Sequence, residues 1–165
     1  MATATTTATE NAYTRVSWRG VTINARTRDA LKHAEKLWRQ RYPNQSIVIT
    51  QGSYSTSVEA SGSTHAGGGV VDIRTRNLSR DCRVALVVAL KNSGAFAWYR
   101  DEDDGFSPHI HCGFFADKEM SASAVRQGVS YDAGRNGLNN NAKDDTYRAK
   151  PKLRFSYAQG KPVKR

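Results

Sequence analysis

One aspartate constrains this chain more than any other residue. Asp72 stands inside Val70-Val71-Asp72-Ile73, a run whose β-branched apolar residues read as a strand. An ionised carboxylate left unpaired in a core costs several kcal/mol, so Asp72 must meet donors or a cation. Side chains alternate across a strand, which turns Val71 and Ile73 to one face and Asp72 to the other. Partners for that second face stand in two short stretches. Three of the four histidines lie there: His65 in the glycine-rich stretch 61–72, and His109 and His111 in His109-Ile110-His111. On a strand, His109 and His111 share a face, while Ile110 and Cys112 take the opposite one. If the two strands join one sheet, His65, Asp72 and His111 can converge on a point. Two imidazoles and a carboxylate with an open fourth position are the ligand set of a catalytic zinc ion. A polar network of Asp72 with a histidine and backbone amides is the alternative on the same residues.

The surrounding pattern is that of a small α+β domain. Val16 to Ile23 reads as a short first strand with a turn at Arg19-Gly20. Leu31, Ala34, Leu37 and Trp38 recur at helical spacing between Thr27, a capping residue, and Tyr42, after which Pro43 stops the helix. His33 lies off that stripe and reads as a surface residue. Ser46 to Gln51 is a strand, and Gly52 to Gly69 a loop long enough to be functional. Val70 to Arg74 carries Asp72. Ser79 caps a helix reaching Asn92, with Gly94 as terminator. Ala95 to Arg100 and His109 to Phe115 are strands on either side of an acidic turn, Asp101 to Gly105. Ser121 caps a short helix to about Gln127, and the chain is irregular after Tyr131. No repeat is present, and no strand–helix–strand rhythm of a parallel sheet. The expected architecture is therefore a small antiparallel sheet with flanking helices. Residues 1–12 are expected to be a disordered N-terminus, 13–148 the folded domain, and 149–165 a basic tail on the surface or mobile.

Charge narrows the partners only partly. The net charge is +10, and residues 143–165 hold eight Lys/Arg against two Asp, or +6 of it. A basic chain favours an anionic partner such as nucleic acid, a membrane surface or an anionic cell wall. Nucleic-acid binding calls for an organised basic face with stacking aromatics, whereas most of the charge here is in a tail. No window is apolar over the ~20 residues of a membrane helix. The N-terminus lacks the basic start and apolar run of a secretory signal. Synthesis in the cytoplasm is expected, with release by other means if the protein acts outside, and as a monomer. Cys82 and Cys112 form no CxxC pair and read as two buried thiols.

The pattern Ser63-x-His65-x-x-Gly68-x-x-x-Asp72, followed by His109-x-His111, resembles the zinc peptidases that group lysostaphin, D-alanyl-D-alanine peptidases and the hedgehog signalling domain. Within that group it is similar to VanY-like carboxypeptidases and phage L-alanyl-D-glutamate endopeptidases. Thr22-Ile-Asn-Ala-Arg-Thr, Ile49-Thr-Gln-Gly-Ser-Tyr54 and Tyr131-Asp-Ala-Gly-Arg-Asn-Gly-Leu138 look like flanking segments of an actinobacterial and actinophage branch, and the resemblance covers residues 20–148. It implies a zinc site on the sheet with His65, Asp72 and His111 as ligands. His109 would lie close to the metal and stabilise charge in the transition state. Members of the family place an acid shortly before the HxH as general base. Phe106 and Pro108 occupy positions where that acid is expected, and Asp104 is the nearest candidate in sequence. Gln51, at a strand end, would aim its amide at a substrate carbonyl, and Ser63 would shape the loop or donate near Asp72. The implied activity is hydrolysis of an amide bond in peptidoglycan peptides, by an endolysin or virion-associated lysin. A zinc-containing cell-wall binding module without turnover is the first alternative, and a basic nucleic-acid-binding protein the lesser one.

Overall fold

A computed structural model describes residues 11–56 and 63–144, together with the backbone of two strands at 155–158 and 161–164. Strands β1 (Arg15–Trp18) and β2 (Val21–Asn24) form a hairpin, where a single short strand with a turn was expected. Its two-residue turn works because Arg19 and Gly20 both take positive φ, 53° and 84°, matching the twist of the paired strands.

Helix α1 (Ala25–Arg39) starts two residues before the expected Thr27. Asn24 is the cap instead: its side-chain oxygen accepts from the Thr27 amide at 2.8 Å. The buried stripe of α1 is Ala30, Leu31, Ala34 and Trp38. Burying Leu31 alone is worth roughly 1.5–3 kcal/mol. Strand β3 (Ile49–Gln51) is shorter than the expected 46–51, because the Ile47 amide and carbonyl bond to the Glu35 and Arg19 side chains instead of a neighbouring strand. Strand β4 is Val70–Arg74, helix α2 Arg80–Asn92, β5 Ala95–Arg100 and β6 His109–Phe114. Ser79 caps α2 by accepting from the Cys82 amide.

The sheet order is β3-β4-β6-β5, antiparallel at every pairing. This is the α+β architecture with a small antiparallel sheet that the sequence implies. One face of the sheet presents Val71, Ile73, Ile110 and Cys112 to α1 and α2, forming the main core. The other face is divided. At one end Phe96, Trp98, Phe115 and Tyr131 make an aromatic cluster under helix α3 (Ala122–Asp132). At the other end the face is polar. Helix α3 runs past the expected Gln127 because Tyr131, 4% exposed, anchors its last turn in the aromatic cluster. Ser121 caps it as expected.

Strands β7 (Phe155–Ala158) and β8 (Lys161–Lys164) pair as an antiparallel hairpin within the expected basic tail, with β7 beside α1. The remainder of the tail, and the N-terminal stretch up to residue 10, lie outside the described residues. Among the described residues no helix is long and apolar enough to cross a membrane. Both thiols, Cys82 and Cys112, are buried and unbridged.

Candidate metal centre

Sheet register assembles most of the site. Asp72 on β4 pairs with His111 on β6, which pairs with Trp98 on β5. One step along, Arg74, His109 and Arg100 stand in the same relation. His65 arrives from the loop, on a 3-10 turn at Thr64–Ala66 entered through Ser63 at φ 61°. That loop is pressed against the segment before α3. The Gly68 amide donates to the Glu119 carbonyl at 2.8 Å, and the Ser121 hydroxyl donates to the Thr64 carbonyl at 3.1 Å. A Cβ on Gly67 would fall 2.1 Å from the Glu119 carbonyl oxygen, so only glycine permits this approach.

His65, Asp72 and His111 each offer one ligand atom, all within 4.8 Å of one another. From Asp72 Oδ1, His111 Nδ1 is 2.8 Å away, His65 Nε2 3.3 Å and His109 Nε2 3.7 Å. The second nitrogen of each ring faces an acceptor. His65 Nδ1 is 2.9 Å from the Gly52 carbonyl, His109 Nδ1 2.7 Å from the Ser107 carbonyl, and His111 Nε2 2.8 Å from the Gln127 side-chain oxygen. With an acceptor behind each ring, the tautomer that donates to it turns the other nitrogen's lone pair toward Asp72. Lone pairs facing a carboxylate repel unless a cation lies between them. His65 Nε2 is buried and makes no hydrogen bond among the described residues. Ligand atoms on a tetrahedral zinc at ~2.0–2.1 Å stand about 3.3 Å apart, which is the His65–Asp72 separation. The residues fit the ion, with slight widening at His111.

In the other tautomer the same rings donate to Asp72, and the carboxylate stays ionised. Burial alone would raise the Asp72 carboxyl, but His111 and His65 outweigh it and hold Asp72 well below the usual carboxylate range. Burial lowers the His111 imidazole against the opposing pull of Asp72, which keeps the ring neutral at pH 7. Trp98 stacks on His111 with ring planes 11° apart and fixes the plane of that ligand.

The centre lies in a cavity of about 650 Å³ lined by His65, Asp72, His109 and His111, with Gln51, Arg100 and α3 also on its walls. A second cavity of about 410 Å³ shares Gln51, Asp72, Ser107 and His109 and extends past Thr50 and Ser55.

Five of the residues singled out in the sequence therefore meet: Gln51, His65, Asp72, His109 and His111. Asp104 does not join them. Its 3-10 turn, Glu102–Asp104, turns it toward Arg100, whose Nη1 is 3.9 Å away, and Asp104 does not line the cavity. Ser63 is exposed and acts through its backbone, its carbonyl accepting from the Ala66 amide. Tyr54 and Trp98 lie outside the cavity lining: Trp98 backs His111, and the Tyr54 hydroxyl donates to Glu119. His33, off the helix stripe, is half-buried and hydrogen-bonds the Ser93 hydroxyl.

Sequence reasoning passed over Gln127 and Arg100. A signal for the first existed, since Ser123, Arg126, Gln127 and Ser130 follow i, i+3, i+4, i+7 spacing and form a polar stripe of α3 toward the cavity. The carbonyls of Gly52 and Ser107 had none, being backbone groups. Comparison of the chain with protein-family models, curated proteins and solved structures returns no match, so the site's own geometry carries the functional argument.

Proposed function

We propose that this protein is a zinc-dependent peptidase that hydrolyses an amide bond in the peptides of bacterial peptidoglycan. One observation carries the reading: two imidazoles, each with an acceptor behind its second nitrogen, converge on one carboxylate on the wall of an open cavity. The paired histidine motifs and their resemblance to cell-wall peptidases supply the substrate class. When bound, a zinc ion supplies a Lewis acid for the scissile carbonyl and a water of lowered pKa.

The chain's own groups do the rest. His65, Asp72 and His111 would hold the ion. His109 is left over as the proton carrier: with Nδ1–H given to Ser107, its Nε2 is turned into the cleft, where it accepts a proton from water and returns it to the leaving amine. Gln51 lines both cavities and orients the substrate backbone, while the buried Arg100 guanidinium faces the larger one and stabilises negative charge on oxygen. Because the two cavities share Asp72 and His109, a bound chain can continue on both sides of the metal. That continuity supports cleavage of an internal bond over removal of a terminal residue. Action on the wall after release, in phage lysis or from a virion, completes the proposal.

A cell-wall binding module without turnover is the second reading, favoured by the position of Asp104 beside Arg100 instead of in the cleft. Digestion of purified peptidoglycan, with and without chelator and with fragments read by mass spectrometry, separates the two. Cleavage is expected to produce new termini inside stem peptides, to stop with chelator and to return with zinc. Binding without new termini establishes the second reading. Among variants, His109→Ala should abolish cleavage with zinc retained, whereas Asp104→Ala should leave it within a few-fold; the reverse result makes Asp104 the base.

A further inference from the structure

We infer that Gln127 is a positioning residue of the metal centre, its side-chain oxygen holding His111 in the tautomer whose Nδ1 faces Asp72. The inference rests on the metal-centre reading and not on the identity of the substrate. His111 is 6% exposed, so neither ring nitrogen has ready access to water. Its two nitrogens compete for one proton. If Nδ1 carries it, the ring donates to Asp72 Oδ1 at 2.8 Å and the pair closes on itself, with no lone pair left for a cation. If Nε2 carries it, the donor meets Gln127 Oε1 at 2.8 Å and Nδ1 is left to bind metal. Metal binding at Nδ1 therefore requires an acceptor behind Nε2, and among the described residues Gln127 is the one hydrogen-bonded there. Without it, loading the site would leave a buried N–H unsatisfied.

Other contacts to the ring do not decide this. Trp98 lies parallel to the imidazole and sets its plane, but a stacked face does not distinguish which nitrogen is protonated. Helix α3 is suited to the task because it is already tied to the other histidine ligand: its cap Ser121 donates to the Thr64 carbonyl, one residue before His65. One helix thus braces both ligand-bearing segments, at Ser121 and, one and a half turns on, at Gln127.

The test uses the full chain and three proteins: wild type, Gln127→Leu and Gln127→Glu. Zinc affinity is measured by competition with a chromophoric chelator, and the His111 tautomer of the metal-free proteins by long-range nitrogen–proton NMR. Gln127→Leu is expected to weaken zinc binding 10- to 100-fold and to raise the Nδ1–H share of the metal-free His111 ring above that of wild type. Gln127→Glu keeps an acceptor and should hold zinc within a few-fold of wild type, with thermal melts of the metal-free proteins showing all three folded. Wild-type affinity in Gln127→Leu overturns the inference alone. So does an equal loss in both variants with the tautomer unmoved, the mark of a merely structural role. Failure of the wild type to bind zinc overturns the metal-centre reading and this inference with it.

Discussion

Asp117 and Asp72 are both withdrawn from water, and their surroundings are opposite. Asp117 is enclosed, its side chain 0% exposed, and its neighbours are donors: the Asn24 amide at 2.8 Å, the Glu119 backbone N–H at 2.9 Å and the Arg26 guanidinium at 3.8 Å. Arg26 in turn donates to the carbonyls of Phe114 and Phe115. Asp72 instead faces ring nitrogens that have acceptors behind them, and it opens to a cavity. The first cluster is complete and holds β2, α1 and the end of β6 together. The second leaves room for a cation among its three side chains. Buried charge by itself says little about function; the direction of donors and acceptors around it says more.

The largest expected effect lies at the closed cluster. Asp117→Ala leaves the Arg26 guanidinium buried without its counter-charge and should destabilise the fold by about 3–5 kcal/mol in denaturant melts. Asp72→Ala should abolish zinc uptake while changing the stability of the metal-free protein by clearly less. Equal destabilisation by the two variants would erase the distinction between them.

Next in size is the response to metal. A free zinc concentration 100-fold above Kd should add about 2.7 kcal/mol to stability, seen as a rise in Tm that chelator reverses. Asp72→Ala and His65→Ala should show no rise, and Asp117→Ala should keep it if enough folded protein survives to measure.

The smallest effect belongs to a third carboxylate that lies between the two cases. Burial alone would raise Glu35, but Arg19, 2.8 Å from each of its oxygens, and the Ile47 amide bring it below its ordinary value. With its folded value depressed, the stability it lends is full above the unfolded value of about 4.3. It is lost as pH falls through the folded value. Glu35→Gln should therefore flatten the acid limb of metal-free stability below about pH 4, by about 1 kcal/mol or less because Arg19 is partly exposed. An unchanged limb would place the acid sensitivity elsewhere.

What the sequence made legible follows from the strictness of the strand period. Alternation by two settled that Val71 and Ile73 oppose Asp72, and that Ile110 and Cys112 oppose His109 and His111. The convergence of His65 with the other two needed only one sheet and one loop. Helix α1 was harder to bound, because Asn24 and Thr27 are both good caps. The choice is made by Asp117, distant in sequence, which accepts from the Asn24 amide nitrogen while Asn24 Oδ1 accepts from the Thr27 amide. Asp104 was selected for nearness along the chain, and nearness along the chain does not survive a 3-10 turn that points it at Arg100. Gln127 shows in the sequence only as part of the polar stripe of α3; its contact with His111 exists because α3 crosses behind that ring.

Cys112 follows His111 immediately, yet its sulfur is on the far side of the pleat. Burial pushes the thiol well above its ordinary value, so it stays protonated within the core. The donors left for an ion are nitrogen and oxygen, a set that suits zinc and offers oxidants no thiolate to attack. A metal held by such a set would meet no ligand that oxygen converts to another species.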